Sequence, residues 1–247
     1  MSLAPPIEAP SPNFDARTAP PDMIVLHYTG MQSGEAALAR LRDPDAKVSA
    51  HYLVEEDGRV FRLVPDERRA WHAGRAFWAG ATDINAASIG VEIVNPGHEF
   101  GYRDFPDAQV EAVIALVSDI RGRWTVPDGR ILGHSDVAPA RKQDPGERFP
   151  WRRLAEAGHG VWVEPPPAPG PALTVGDQGP GVLAAQGALR RIGYDAPVTG
   201  VYDEATAVIV TAFQRHWRPA CVDGAADGET RARLVAVLRA AQALGAV

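Results

Sequence analysis

The run Pro165-Pro166-Pro167-Ala168-Pro169-Gly170-Pro171 constrains this chain more than any other feature. Proline fixes φ and carries no amide hydrogen, so neither a helix nor a central strand can pass through five prolines in seven residues. The run predicts a semi-rigid linker over 164–171, separating a larger unit at 22–163 from a smaller one at 172–247. Six further prolines within residues 1–21 predict an extended N-terminal arm.

The two units differ in hydrophobic period. In the first, Met23-Ile24-Val25-Leu26, His51 to Glu55, Arg59 to Val64, Ser88 to Val94 and Ile131-Leu132-Gly133 read as short strands, with a hairpin at Asp57-Gly58. Gly34 to Arg42 reads as a short helix. Val110, Val113, Ile114, Val117 and Ile120 recur at helical spacing, which predicts an amphipathic helix over 107–121. The fold class is therefore α/β, a mixed sheet flanked by helices. The second unit reads as three helices, carried by Val182, Leu183, Gln186, Leu189 and Ile192, then Val208, Ile209, Ala212 and Phe213, then Leu234, Val235 and Leu238. Asp203 and Asp227 stand where an N-cap carboxylate would accept backbone N–H bonds. So small a helical unit should be only modestly stable by itself.

Composition removes several function classes. A net charge of −6 argues against a nucleic-acid surface. No apolar run approaches the roughly 18 residues of a membrane span. Cys221, the one cysteine, excludes an internal disulfide. Residues 1–21 lack the apolar core of a secretory signal, so the expected compartment is the cytoplasm, with the periplasm as the alternative.

Candidate chemistry gathers at strand ends. His27 closes the first strand and His134 the last, and sheet edges of this kind are where pockets form. Asp144 follows in the turn Lys142-Gln143-Asp144-Pro145-Gly146. Two histidines and a carboxylate suit zinc, with a fourth position left for water. Spacing alone leaves packed or surface histidines equally open. Glu92 interrupts the apolar run Ile89-Gly90-Val91-Glu92-Ile93-Val94, which fits either a general base or a residue on a solvated face. Lys142 is one of only two lysines against 23 arginines. It fits either an oxyanion-stabilising ammonium or an ordinary solvated side chain. Trp71, Trp78, His51, Tyr52 and His72 could line a sugar-binding pocket or pack in the core.

Five segments in order then coincide with one family: Val25-Leu26-His27-Tyr28-Thr29; Ser49-Ala50-His51-Tyr52-Leu53-Val54; Ala70-Trp71-His72-Ala73-Gly74; Ser88 to Asn95; and Gly133-His134-Ser135-Asp136-Val137-Ala138-Pro139-Ala140-Arg141-Lys142-Gln143-Asp144-Pro145-Gly146. Over residues 13–155 the chain resembles the zinc-dependent N-acetylmuramoyl-L-alanine amidases of the AmpD/AmiD type, a family similar to phage amidase-lysozymes and animal peptidoglycan recognition proteins. The tail resembles the three-helix peptidoglycan-binding module, through Leu173, Gly176, Gly179, Gln186, Leu189, Gly193-Tyr194, Gly200, Tyr202-Asp203, Thr206, Phe213-Gln214, Asp223-Gly224, Asp227 and Thr230.

The resemblance implies that His27, His134 and Asp144 hold Zn2+, that Glu92 is the catalytic carboxylate, and that Lys142 steadies the tetrahedral intermediate. His51, Trp71, His72 and Asn95 become candidate substrate-binding residues. The implied reaction cleaves the amide between N-acetylmuramic acid, ordinary or 1,6-anhydro, and L-alanine in peptidoglycan or soluble muropeptides. Non-catalytic relatives lack a full ligand set, whereas all three ligands are present here. The remaining alternatives are a peptidoglycan-binding protein without activity and a glycoside hydrolase using Glu92 with a second carboxylate such as Asp144.

Overall fold

The computed structural model describes residues 3–243. Residues 1–2 of the expected arm and 244–247 of the expected C-terminal unit lie outside them. The strands are β1 (Ile7–Glu8), β2 (Phe14–Ala16), β3 (Met23–Tyr28), β4 (Tyr52–Val54), β5 (Val60–Arg62), β6 (Arg68–Ala70), β7 (Ser88–Ile93) and β8 (Ile131–Gly133). The helices are α1 (Gly34–Arg42), α2 (Ile84–Ala87), α3 (Gly97–Phe100), α4 (Asp107–Arg123), α5 (His134–Val137), α6 (Trp151–Glu156), α7 (Pro180–Ile192), α8 (Glu204–Trp217) and α9 (Gly228–Ala243).

Six strands form one mixed sheet in the order β1-β5-β4-β7-β3-β8, and β2 pairs with β6 separately. The central strands β4, β7, β3 and β8 run parallel, while β4 and β5 form the antiparallel hairpin expected around Asp57-Gly58. The arm is extended, as its prolines require, but it is not loose. Its β1 adds to the sheet edge beside β5, and Asn13 donates to the carbonyls of Asp43 and Val48.

Side-chain alternation sorts the sheet into two faces. Ile24 and Leu26 of β3, with Ile89, Val91 and Ile93 of β7, join Tyr52 and Val54 beneath Val110, Val113, Leu116, Val117 and Ile120 of α4. The opposite face therefore receives Met23, Val25 and His27 from β3, and Gly90 and Glu92 from β7. Parallel register sets His27 directly across from Glu92. One period-two pattern thus builds the core on one side and delivers two candidate site residues to the other.

The C-terminal helices form where their periodicity predicts, and both caps are made. Asp203 accepts from the Thr206 amide at 2.8 Å and Asp227 from the Thr230 amide at 2.9 Å. Leu183, Val208 and Val235, assigned to apolar faces by spacing, are instead exposed. The unit does not stand alone. Met23, Val25, Trp78, Leu132 and Val137 of the larger unit share one apolar cluster with Leu189, Tyr194, Phe213 and Trp217. The His216 ring lies between Trp151 and Trp217, with centroids 3.6 and 3.7 Å away. Its Nδ1 meets Asp136 Oδ2 at 2.7 Å, and the Tyr194 hydroxyl donates to Asp136 Oδ1 at 2.7 Å.

Candidate active site

A cleft of about 650 Å³ opens on the face of the sheet opposite α4, within the range of small-molecule sites. His27, Trp71, His72, Glu92, His134, Lys142 and Asp144 line it. His27 arrives at the end of β3. His134 is the first residue of α5, directly after β8, and Asp144 is brought back by the following turn, whose carbonyl accepts from the Ser135 amide at 2.9 Å.

The three candidate ligands converge. His27 Nδ1 lies 2.9 Å from His134 Nδ1 and 3.1 Å from Asp144 Oδ2, and His134 Nδ1 lies 3.0 Å from the same oxygen. A tetrahedral zinc ion with bonds of about 2.0–2.1 Å spaces its ligands by about 3.3 Å, close to this triangle. The three residues are 1%, 3% and 6% exposed. They form the metal-capable group among the described residues. His134 Nε2 faces the Ala73 carbonyl at 3.0 Å, which can only accept, so the proton sits on Nε2 and Nδ1 offers a lone pair. Burial, with His134 beside it, lowers His27 to about 4, which keeps that ring neutral. Neutral nitrogen and anionic oxygen acceptors facing one another are a donor set that fits a divalent cation.

Glu92 is set beside this triangle by the strand register. Its Oε2 is buried with no hydrogen-bond partner. Burial raises its pKa well above the ordinary value, Asp144 adds to the rise, and Lys142 opposes it. Glu92 as a whole is half-buried, and alternation turns its carboxyl group into the cleft. Trp71 also lines the cleft, with its indole N–H donated to Asp15 at 2.7 Å. His72 lines it too, but both ring nitrogens face protein groups. Trp78 is core, stacked edge-on against Tyr194.

Two candidates are not brought to the cleft. Asn95 is buried, and its side chain donates to the Arg103 carbonyl and accepts from the Gly97 amide. It shapes the turn after β7. His51 is 0% exposed, accepting from the Gly90 amide at Nδ1 and donating from Nε2 to the Arg68 carbonyl. Tyr52 points into the α4 core and donates to Asp66. Sequence reasoning missed Arg40 and Arg141, which also line the cleft. Helical spacing from Ala37 and adjacency to Lys142 were the available signals.

Burial of His51 lowers its pKa to about 4, against an opposing bond to the Arg68 carbonyl. The unfolded chain, near 6.5, takes up the proton first. The associated stability is complete above about pH 6.5 and is lost as pH falls toward 4. Thermal melts of His51→Gln across this window should slope less steeply with pH, by up to about 1.4 kcal/mol per unit. A slope equal to the parent's would remove His51 as the source.

A cleft on a mixed sheet, with three convergent side chains that could hold a metal ion and an adjacent raised carboxyl group, has the make-up of a hydrolase active site. The chain belongs to the N-acetylmuramoyl-L-alanine amidase family: that family's model matches residues 17–147, and a peptidoglycan binding domain model matches residues 178–234. AmiD of Escherichia coli K12 is 37% identical over 232 residues, covering 87% of this chain and 82% of its own. The 1,6-anhydro-N-acetylmuramyl-L-alanine amidase AmpD of Enterobacter cloacae is 35% identical over 164 residues, covering 59% of this chain and 86% of its own. Among solved structures, E. coli AmiD in complex with anhydro-N-acetylmuramic acid-L-Ala-D-γ-Glu-L-Lys superposes with a TM-score of 0.77 at 34% identity, covering 92% of each chain. AmpDh3 of Pseudomonas aeruginosa with an anhydromuramic pentapeptide gives 0.72 at 33% identity, covering 88% of this chain and 91% of that one. The protein is an N-acetylmuramoyl-L-alanine amidase, with a mixed-sheet catalytic unit followed by a helical region. No helix among the described residues is long and apolar enough to cross a membrane.

Proposed function

We propose that this amidase is zinc-dependent, with His27, His134 and Asp144 as ligands, and that it releases the stem peptide from peptidoglycan-derived muropeptides, 1,6-anhydro forms included. The observation that carries the reading is the convergence of two imidazole Nδ1 atoms and one carboxylate oxygen within 3.1 Å, one strand away from a buried, unpartnered Glu92 oxygen. The anhydro-muramyl peptides bound to the AmiD and AmpDh3 relatives support the substrate class. Bound in this triangle, zinc would supply Lewis acidity toward the amide carbonyl and make a water nucleophilic near neutral pH.

The remaining chemistry belongs to the chain. Glu92 accepts the proton of the attacking water as the C–O bond forms. It then returns that proton to the departing L-alanine nitrogen, a dual role that suits a carboxyl group raised well above its ordinary range. The Lys142 ammonium lines the same cleft and offsets charge developing on the carbonyl oxygen. Trp71 gives the cleft an aromatic wall against a sugar ring. The glycosidase alternative lacks its second carboxylate, because Asp144 is engaged by two imidazoles.

The test is metal removal with a muropeptide substrate. Chelation should abolish peptide release, one equivalent of zinc should restore it, and no reducing ends should form. Full activity in metal-free protein would overturn the assignment. Fractionated cells distinguish fragment recycling in the cytoplasm from wall turnover in the periplasm.

A further inference from the structure

The segment Trp71–Ala73 meets both candidate histidine ligands from behind. His134 Nε2 faces the Ala73 carbonyl at 3.0 Å, and His27 Nε2 faces His72 Nδ1 at 3.0 Å. His72 Nε2 in turn meets the Ser88 hydroxyl at 3.2 Å, and that hydroxyl donates to the Ile84 carbonyl at 2.5 Å. A serine hydroxyl has one proton. Ser88 gives it to Ile84, so Ser88 accepts from His72 Nε2–H. His72 Nδ1 is then an acceptor and takes the proton of His27 Nε2. The direction of the whole chain follows from the carbonyl at its far end, with no metal assumed. It leaves His27 Nδ1 with a free lone pair, matching His134.

One further side chain holds this segment in register. Asn85 Oδ1 accepts from the His72 amide at 3.0 Å and from the Ala73 amide at 2.8 Å. It is buried, and both of these bonds go to backbone amides rather than to a candidate ligand. Gly90 on β7 supplies the room: a Cβ there would stand 2.5 Å from the His72 ring. The Ala73 carbonyl also accepts from Arg141 Nη2 at 3.0 Å, which uses its second lone pair and keeps it aimed at the site.

We propose that Asn85 and Ser88 are positioning residues which, acting through Ala73 and His72, lock both histidine ligands as Nε2–H tautomers and thereby set the affinity of the centre for zinc. This rests on the zinc reading above. Partners behind metal-bound imidazoles commonly change metal affinity by about 10–100-fold. A ring free to place its proton on Nδ1 must give that tautomer up before it can bind.

Two measurements test the proposal. In zinc-loaded parent protein, imidazole 15N shifts should report Nε2–H on His27, His72 and His134; a proton on His72 Nδ1 overturns the proposal. In chelator competition with zinc alone, Ser88→Ala and Asn85→Ala should bind about 10–100-fold more weakly than the parent. Asn85→Asp keeps an acceptor oxygen and should bind near the parent's affinity. Variants that bind zinc within twofold of the parent also overturn the proposal. If the parent itself binds no zinc, the metal reading fails first, and that result is distinguishable from failure of the clamp alone.

Discussion

Replacing Glu92 with glutamine is expected to lower turnover by about 10²–10⁴ while zinc stays bound. The substitution keeps the volume and shape of the side chain and removes only its capacity to take and return a proton. None of the three candidate ligand atoms belongs to Glu92, so the metal triangle should be unaltered. The loss should fall on kcat rather than KM, because the residue acts on the moving proton and not on the resting substrate. The pH profile adds a second readout. Burial and the neighbouring Asp144 raise Glu92 well above the ordinary carboxylate range. Its base form therefore accumulates as pH rises, and the acid limb of kcat/KM should lie above that range in the parent and vanish in the variant. Zinc content at one equivalent with turnover within threefold of the parent would remove Glu92 from the proton transfer.

The site was legible to the extent that it depends on strand alternation. Reading Ile89-Gly90-Val91-Glu92-Ile93-Val94 as a buried strand leaves Glu92 facing away from Val91 and Ile93, and the structure turns that opposite face into the cleft. His27, closing an apolar strand, follows the same rule. Which strands lie side by side was not legible, because parallel neighbours are chosen by the packing of distant segments. Only the observed order of β7, β3 and β8 explains why residues 27, 92 and 134 meet. His51 and Asn95 went elsewhere for a related reason. Both belong to segments that border the cleft, yet each side chain is consumed by backbone groups that would otherwise be buried without partners. Asn85 and Ser88 gave no signal, since a polar residue in a short apolar stretch looks the same whether it caps a turn or supports a ligand. The proline linker was legible in conformation but not in consequence. Residues 164–171 contain no helix or strand, and Ala168 donates to the Gly228 carbonyl at the start of α9.

That consequence leads to the second large effect. Excising residues 172–247 should destabilise the catalytic unit by several kcal/mol, comparable with the total of about 5–15 kcal/mol available to a domain. Three losses combine. Tyr194, Phe213 and Trp217 leave the apolar cluster they share with Met23, Val25 and Val137, and each large apolar side chain contributes about 1.5–3 kcal/mol by its burial. The Trp217 indole no longer donates to the Val161 carbonyl. Asp136 loses the His216 and Tyr194 partners that satisfy it in a site where it is only 1% exposed, keeping the Gly133 amide. Asp136 sits in α5, the helix opened by His134, so the fault reaches a proposed metal ligand through one turn of backbone. The truncated chain should therefore melt far below the parent and release zinc more readily to a chelator. Tyr194→Phe isolates one bracing contact within the full chain. It removes one donor to Asp136 and should cost about 1–2 kcal/mol in a chemical melt. If the tail mainly braces, pull-down on insoluble wall should be the same for the full chain and for truncated chain that is still folded, while stability falls. A truncated protein with the parent's melting temperature and zinc affinity would instead make the tail an independent binding unit.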